Sequence, residues 1–206
     1  MGSESVRSGL LIDWGGVLTS NLFHSFQEYA QTTGLDTQAL AGVFRADPTA
    51  REHLIALETG TLTEDEFEVL FADLLGVEPE GLIDGLFAGV KSDDSMVEAV
   101  KRARLAGVRT ALVSNSWGIH RYPHDYFEEM FDGIVISGQE RMRKPDIRMY
   151  ELGAQRAGIA AADCVYVDDL PFNLEPAAQL GMATVHHTSA DETIPQLERL
   201  LGIELR

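Results

Sequence analysis

The chain has 206 residues, of which 45% are hydrophobic, and it carries a formal charge of −17. This length suits one core domain with an insertion. The negative charge argues against nucleic acid or an anionic membrane surface as a partner, because phosphate groups would be repelled, and no apolar stretch is long enough to span a bilayer. Cys164 is the single cysteine, which excludes an internal disulfide and a cysteine zinc site and is typical of the reducing cytoplasm. The sequence leaves the oligomeric state open between a monomer and a homodimer.

The first predicted element is a buried strand over residues 9–12, an apolar run that ends at the carboxylate of Asp13. Gly15 and Gly16 follow, and glycine permits the backbone to turn tightly around a group bound at this point. Ligands of open α/β sheets collect at the carboxyl ends of the strands. Asp13 is therefore a candidate functional residue, with a solvated carboxylate at an ordinary strand end as the alternative interpretation.

Residues 21–90 contain helical patterns and no strand pattern. A helix is predicted over residues 21–33 and ends at Gly34. Residues 63–66 form a capping box before another helix. Residues 79–90 are apolar and are predicted to be helical, although they contain three glycines. We therefore predict a small helical domain inserted after the first strand.

The remainder of the chain alternates between helices and strands, which is typical of a doubly wound parallel sheet. The predicted strands are residues 108–113, 133–137, 164–167 and 183–186, and the predicted helices are residues 96–106, 146–157, 174–180 and 194–201. Residues 9–20 and 91–206 together form the predicted α/β core domain. Because right-handed crossovers place the carboxyl ends of parallel strands at one edge, Asp13, Ser114 and the pair Asp168-Asp169 are expected to share a crevice.

Two of the residues expected in this crevice have side chains that suit a phosphoryl group. The carboxylate of Asp13 can attack phosphorus or an alkyl carbon and form a covalent intermediate that water later hydrolyses. The hydroxyl of Ser114 and nearby backbone N–H groups can hold a phosphoryl oxygen, supported by Asn115 and Ser116. For this Ser-Asn-Ser motif alone, a helix cap is an equally good interpretation.

Charged residues complete the set. Lys144 is one of only three lysines, and it precedes a proline that restrains it to extended backbone. It can pair with the nucleophilic carboxylate and neutralise a transferring phosphoryl group, with a surface lysine as the alternative. Asp168 and Asp169 follow an apolar strand, where adjacent carboxylates repel one another in the absence of a cation. Together with Asp13 they supply the oxygen ligands that Mg2+ prefers.

In the order of these motifs, the chain resembles the haloacid dehalogenase superfamily over residues 10 to about 186. The motifs are Asp13-Trp14-Gly15-Gly16-Val17-Leu18, Val113-Ser114-Asn115, Lys144-Pro145-Asp146 and Val167-Asp168-Asp169. The helical block at residues 21–90, between the first two motifs, is similar to the class with an α-helical cap. The greatest likeness is to the subgroup containing the phosphatase domain of soluble epoxide hydrolase, and it rests on residues 137–139, 144–150 and 168–177.

The resemblance implies a Rossmann-like core with a helical cap and a Mg2+-dependent phosphohydrolase. Such an enzyme would act on a small phosphorylated metabolite through an aspartyl-phosphate. The implied catalytic residues are Asp13, Ser114 and Lys144, the implied substrate-binding residues are Ser114, Asn115 and Lys144, and the implied metal ligands are Asp13, the carbonyl of Gly15, Asp168 and Asp169. The cap would select the substrate, with Phe23, His24, Phe44 and Trp117 as candidate lining residues.

One position departs from the family pattern. Phosphatases that the chain resembles carry a second aspartate two residues after the nucleophile, where it protonates the leaving group, but this chain has Gly15 there. His24, a residue of the cap, or the substrate itself is a candidate replacement. Two alternatives therefore stay open. A 2-haloacid dehalogenase needs no acid at this position, and a catalytically weak or inactive member would bind a phosphorylated ligand or a partner.

Overall fold

A computed structural model describes residues 6–206, except for the side chains of residues 39, 41, 44 and 45. Five parallel strands form one sheet in the order β3-β2-β1-β4-β5. The strands are β1 (Gly9–Ile12), β2 (Arg109–Ser114), β3 (Gly133–Ile136), β4 (Cys164–Asp168) and β5 (Ala183–His186). The sheet confirms the predicted doubly wound fold.

Strand β1 lies at the centre of the sheet, and its register positions the site. Ile12 pairs with Leu112 of β2 on one side and with Val167 of β4 on the other. The backbone N–H of Asp13 continues this ladder and donates to the carbonyl of Val167 at 3.0 Å. The residues that follow these three strands therefore meet at one edge, as the sequence predicted.

The helical block forms five helices between β1 and β2. They are α1 (Leu22–Thr33), α2 (Thr37–Ala46), α3 (Pro48–Glu58), α4 (Glu64–Leu75) and α5 (Leu82–Phe87). Their apolar faces pack on one another around Phe26, Phe67, Phe71 and Leu86, so this block has a hydrophobic cluster of its own. We infer that residues 21–90 form the cap domain and that residues 9–20 and 91–206 form the core domain.

Local sequence signals explain where the cap helices begin and end. The side chain of Asn21 accepts a hydrogen bond from the N–H of Phe23 at the start of α1, and Gly34 ends the helix in the left-handed conformation. Thr63 and Glu66 form the predicted capping box of α4. Helix α5 covers only six residues of the predicted segment 79–90, in which three glycines weaken the helix.

The remaining helices cover the sheet. They are α6 (Asp94–Leu105), α7 (Phe127–Met130), α8 (Ser137–Glu140), α9 (Ile147–Ala157), α10 (Pro171–Gln179) and α11 (Ala190–Leu201). Two buried clusters lie on opposite faces of the sheet. Leu10 and Ile12 of β1 belong to one cluster and Leu11 belongs to the other, because successive side chains of a strand point to opposite faces. Within residues 6–206, no helix is long and apolar enough to cross a lipid bilayer.

Three core helices begin earlier than the sequence predicted: α6 begins at Asp94 and not at residue 96, and α10 and α11 differ more. Helix α10 begins at Pro171 and not at residue 174, because proline fits the first turn of a helix. Helix α11 begins at Ala190 and not at residue 194, because the side chain of Ser189 accepts a hydrogen bond from the N–H of Glu192. In both cases a favourable first turn extends the helix beyond its apolar pattern.

Two glycines inside helices provide a test of the packing. A Cβ atom at Gly153 of α9 would lie 2.6 Å from Cγ2 of Val113, whereas a Cβ atom at Gly42 of α2 would meet nothing within 4 Å. We expect Gly153→Ala to lower the free energy of unfolding by about 1–3 kcal/mol through overpacking. Gly42→Ala should raise it by about 0.5–1 kcal/mol through helix propensity. Urea denaturation measures both, and a stabilised Gly153→Ala variant would contradict this packing.

Candidate active site

A buried lysine joins two carboxylates at the carboxyl edge of the sheet. Nζ of Lys144 lies 2.8 Å from Oδ1 of Asp13 and 2.7 Å from Oδ2 of Asp168. Lys144 is only 1% exposed and Asp168 is fully buried. Burial alone would lower the pKa of Lys144, but the two carboxylates raise it, so the lysine stays charged. The sequence-based prediction that Lys144 pairs with Asp13 therefore agrees with this geometry.

Each of the two carboxylate oxygens of Asp168 accepts two hydrogen bonds. Besides Lys144, the hydroxyl of Tyr166 donates to Oδ2 at 2.5 Å. The N–H of Leu170 and the amide of Asn173 donate to Oδ1 at 2.9 and 3.0 Å. Burial would raise the pKa of Asp168, but Lys144 and the hydrogen bonds from Tyr166 and Asn173 hold it below its usual range. Asp168 is thus an ionised group that orients Lys144.

Asp13, Asp168 and Asp169 form an acidic cluster. One carboxylate oxygen from each lies within 4.8 Å of the others. Burial and the neighbouring carboxylates raise the pKa of Asp13 to about 7 and that of Asp169 to about 6, against the lowering effect of Lys144. Closely spaced carboxylate oxygens are the donor set that Mg2+ prefers, and a cation there would relieve their repulsion. The cluster therefore fits a divalent metal ion.

The two adjacent glycines that follow Asp13 and Trp14 differ in the side chains that they permit. Gly16 has a φ of 76°, and a Cβ atom there would lie 2.4 Å from Oδ2 of Asp169. A side chain at this position would displace the Asp169 carboxylate. A Cβ atom at Gly15 would lie 3.1 Å from Cδ1 of Leu22, the end of a flexible side chain. Gly16 is therefore required by the acidic cluster, whereas the backbone does not require glycine at position 15.

Asn115 connects the second predicted motif to the lysine. Its Oδ1 accepts a hydrogen bond from the backbone N–H of Lys144 at 2.8 Å, and its Nδ2 donates to the carbonyl of Lys144 at 3.2 Å. The neighbouring Ser114 is 1% exposed, and its Oγ accepts a hydrogen bond from the hydroxyl of Tyr122 at 3.0 Å. The Asn115 side chain thus fixes the lysine backbone, which leaves the Ser114 hydroxyl and local N–H groups as the candidate phosphoryl contacts.

Two cavities border this site. The cavity that contains Asp13, Lys144 and Asp169 has a volume of about 460 Å³ and is called the nucleophile cavity below. A larger cavity of about 720 Å³ reaches Ser114 but not Asp13. Phe23 and Trp117 line the nucleophile cavity, as predicted, whereas His24 is exposed and lines neither. The predicted lining residue Phe44 lies outside the described side chains.

Several residues of the site were not predicted from the sequence. Tyr166 and Tyr122 contact Asp168 and Ser114, and His186 contacts the carbonyl of Asp169 through Nε2 at 3.0 Å. A tyrosine inside an apolar strand needs a partner for its hydroxyl, and this signal was available for Tyr166. Glu58 and Arg143, an ion pair between the cap and the core, also line the nucleophile cavity.

The fold and the site together define an α/β enzyme with a carboxylate–lysine centre at the edge of a parallel sheet. Residues 8–181 match the haloacid dehalogenase-like hydrolase family, and the chain belongs to that family.

Several proteins are similar to parts of the chain. A segment of 114 residues is 33% identical to acyl-CoA dehydrogenase family member 10 of Mus musculus and covers 53% of this chain and 10% of that protein. A segment of 116 residues is 30% identical to the sesquiterpene phosphatase astK of Aspergillus oryzae and covers 55% of this chain and 59% of that protein. The chain therefore spans less than two thirds of either relative.

Solved structures share the fold. A predicted HAD-like family hydrolase from Porphyromonas gingivalis aligns with a TM-score of 0.75 at 21% identity, over 96% of this chain and 98% of that one. A HAD family enzyme from Bacteroides thetaiotaomicron, in complex with magnesium and inorganic phosphate, aligns with a TM-score of 0.66 at 22% identity, over 89% and 95% of the two chains.

The two glycines after Asp13 make a matched pair for testing the acidic cluster. Gly16→Ala should weaken Mg2+ binding by about 10–100-fold, the usual effect of disturbing the support of a metal ligand, because its Cβ atom displaces Asp169. Gly15→Ala should bind Mg2+ as the unsubstituted protein does. Isothermal titration calorimetry measures the two affinities. Equal affinities for the two variants would show that the cluster does not hold the ion.

Proposed function

We propose that this protein is a Mg2+-dependent phosphohydrolase that acts on a small phosphorylated metabolite through an aspartyl-phosphate intermediate. The observation that carries the proposal is the placement of Asp13. Its carboxylate borders a cavity and contacts a buried ammonium group, next to a further carboxylate, that of Asp169. A nucleophile, a fixed positive charge and an acidic metal site in one place are the elements that phosphoryl transfer needs.

In the first step, a carboxylate oxygen of Asp13 attacks phosphorus, and the bond from phosphorus to the leaving oxygen breaks. Lys144 holds Asp13 in position and balances the negative charge of the transferring group. Ser114 lines the adjoining larger cavity, which shares Gly15 and Asn115 with the nucleophile cavity, and in our proposal its hydroxyl and the neighbouring N–H groups bind a phosphoryl oxygen where the two cavities meet. In the second step, water attacks phosphorus, inorganic phosphate leaves, and the Asp13 carboxylate is restored.

Asp13, the carbonyl of Gly15 and Asp169 are the proposed Mg2+ ligands. Asp168 adds negative charge to the cluster, but its oxygens are engaged by Lys144, Tyr166, Leu170 and Asn173. A bound Mg2+ ion would supply charge neutralisation that lets a phosphate group approach the Asp13 carboxylate in a protein of net charge −17. The names of two relatives support this chemistry: the sesquiterpene phosphatase of Aspergillus oryzae and a glyceraldehyde 3-phosphate phosphatase of Methanocaldococcus jannaschii.

The central test is hydrolysis of p-nitrophenyl phosphate, whose leaving group needs little protonation. We expect turnover that depends on Mg2+, is abolished by a chelator, and is lost in Asp13→Asn, because the amide is a poor nucleophile. Asp73→Asn, at an exposed position of α4, is the matched control and should retain full activity.

Turnover that persists without metal, or in Asp13→Asn, would contradict the proposal. Halide release from 2-haloacids by the metal-free protein would instead identify a dehalogenase. Binding of phosphate esters without turnover of either substrate class would identify a non-catalytic member of the family.

The side chains that line the nucleophile cavity favour, as the substrate, a phosphate ester with an apolar portion. Phe23, Ile55 and Phe172 line this cavity, and they are 53%, 37% and 55% exposed. Large apolar side chains that remain exposed around one cavity mark a site for an apolar ligand surface. We therefore propose that the alcohol portion of the substrate packs against this apolar rim.

Substitutions at the rim test this proposal. Phe172→Ser should raise KM for hexyl phosphate by about tenfold, equivalent to about 1.4 kcal/mol of lost apolar contact, while leaving KM for glycerol phosphate unchanged. The control is Leu105→Ser, on α6, where the side chain is 87% exposed and lines neither cavity. Equal effects of Phe172→Ser on KM for both substrates would show that the apolar rim does not recognise the alcohol portion of the substrate.

A further inference from the structure

The proposed phosphatase reaction leaves one proton unassigned. When the bond from phosphorus to the leaving oxygen breaks, an alkoxide must receive a proton unless it is an unusually good leaving group. Gly15 stands where an acid would be expected, and His24 does not line the nucleophile cavity. Among the described residues, three carboxyl groups line this cavity: Asp13, Asp169 and Glu58. The first two are the proposed nucleophile and metal ligand, which leaves Glu58.

Glu58 belongs to the cap and lines the nucleophile cavity. It is the last residue of α3, it is 5% exposed, and it forms an ion pair with Arg143, which directly precedes Lys144. The backbones of cap and core touch beside this pair, since a Cβ atom at Gly60 would lie 2.6 Å from the carbonyl oxygen of Gly138. Glu58 is therefore held at the cap–core boundary, next to the segment that carries the lysine of the site.

The surroundings of Glu58 favour its protonated form more than those of an ordinary glutamate. Glu58 lies at the C-terminal end of α3, where the negative end of the helix dipole disfavours a carboxylate charge. Burial raises the pKa of Glu58 to about 7, although Arg143 in contact with it and Lys144 at longer range both lower it. Arg51 and Asp13 line the same cavity, and Tyr122 lies close enough for the charge of Glu58 to raise the pKa of its hydroxyl. A substantial fraction of Glu58 thus carries a proton near neutral pH.

We propose that Glu58 is the acid that protonates the leaving oxygen, in place of the side chain that Gly15 lacks. The proposal rests on the phosphatase function proposed above. The bond from Asp13 to phosphorus forms, the bond from phosphorus to the leaving oxygen breaks, and that oxygen takes the proton of the Glu58 carboxyl. The Glu58 carboxylate then accepts a proton from the water that attacks the aspartyl-phosphate. This returns both residues to their starting states.

A purely structural role for Glu58, as a link between cap and core through Arg143, makes a different prediction. Loss of such a link would disturb the positioning of every substrate to the same extent. Loss of an acid is selective, because it slows departure of a poor leaving group far more than departure of a good one. The dependence of the rate on the leaving group therefore separates the two roles.

The experiment measures single-turnover release of the leaving group, with the full chain in excess and Mg2+ present. Glu58→Gln should slow the release of hexanol from hexyl phosphate by about 10²–10⁴-fold, the usual contribution of general acid catalysis. Release of p-nitrophenol from p-nitrophenyl phosphate should change by less than about fivefold, since a good leaving group requires little protonation. An equal loss for both substrates, or an unchanged rate for hexyl phosphate, would overturn the proposal.

The pH dependence gives a second test that does not require removal of the carboxyl group. Bound Mg2+ would keep the Asp13 carboxylate ionised, so the remaining requirement is a protonated acid, and the rate for hexyl phosphate should fall as the pH rises through about 7. Arg143 lowers the pKa of Glu58, and Arg143→Gln should therefore move this fall to higher pH. An unmoved profile would overturn the assignment of the proton to Glu58. Asp13- and Mg2+-dependent turnover of p-nitrophenyl phosphate stays as the separate test of the phosphatase function itself.

Discussion

The ammonium group of Lys144 is the interaction on which the site depends. It lies between carboxylates that follow or end two neighbouring strands, Asp13 after β1 and Asp168 in β4. Removing one member of a buried ion pair typically costs about 3–5 kcal/mol, because the other charge is then buried without compensation. Asn115 fixes the lysine backbone, and Tyr166 and Asn173 fix Asp168. The Asp13 carboxylate is thus positioned by a network that includes β1, β4 and the loop after β2.

Much of the fold and the central part of the site could be predicted, because both depend on short-range patterns. Apolar strands with polar residues at their carboxyl ends are readable in sequence, and parallel pairing then brings Asp13, Ser114 and Asp168 to one edge of the sheet. The Glu58–Arg143 pair could not be predicted. It joins residues far apart in sequence, and its existence depends on how the helical insertion packs on the core. The first turns of α10 and α11 were missed because they are polar or contain proline, so no apolar pattern marks them.

The two glycines after Asp13 illustrate how a sequence motif can combine two different constraints. Gly16 is explained by geometry, since its conformation and the position of Asp169 exclude a side chain. Gly15 has no such explanation, because the nearest atom to a Cβ there belongs to the flexible side chain of Leu22. Steric exclusion therefore does not explain the glycine at position 15, and its consequence is the loss of a proton donor from the loop after Asp13. In our proposal, Glu58 of the cap supplies the proton instead.

The positions of the two tryptophans have an optical consequence. Trp14 directly follows Asp13 and packs edge-on against Tyr122 and Phe127 of the core, with ring centroids 5.8 and 5.7 Å away. Trp117 extends from the core into the hydrophobic cluster of the cap, where its ring lies 5.5 Å from those of Phe26 and Phe67. The intrinsic tryptophan fluorescence of the protein therefore originates beside Asp13 and at the cap–core boundary. Movement of the cap would change the emission of Trp117 while leaving the aromatic neighbours of Trp14 in place, so the chain contains a built-in fluorophore for domain motion.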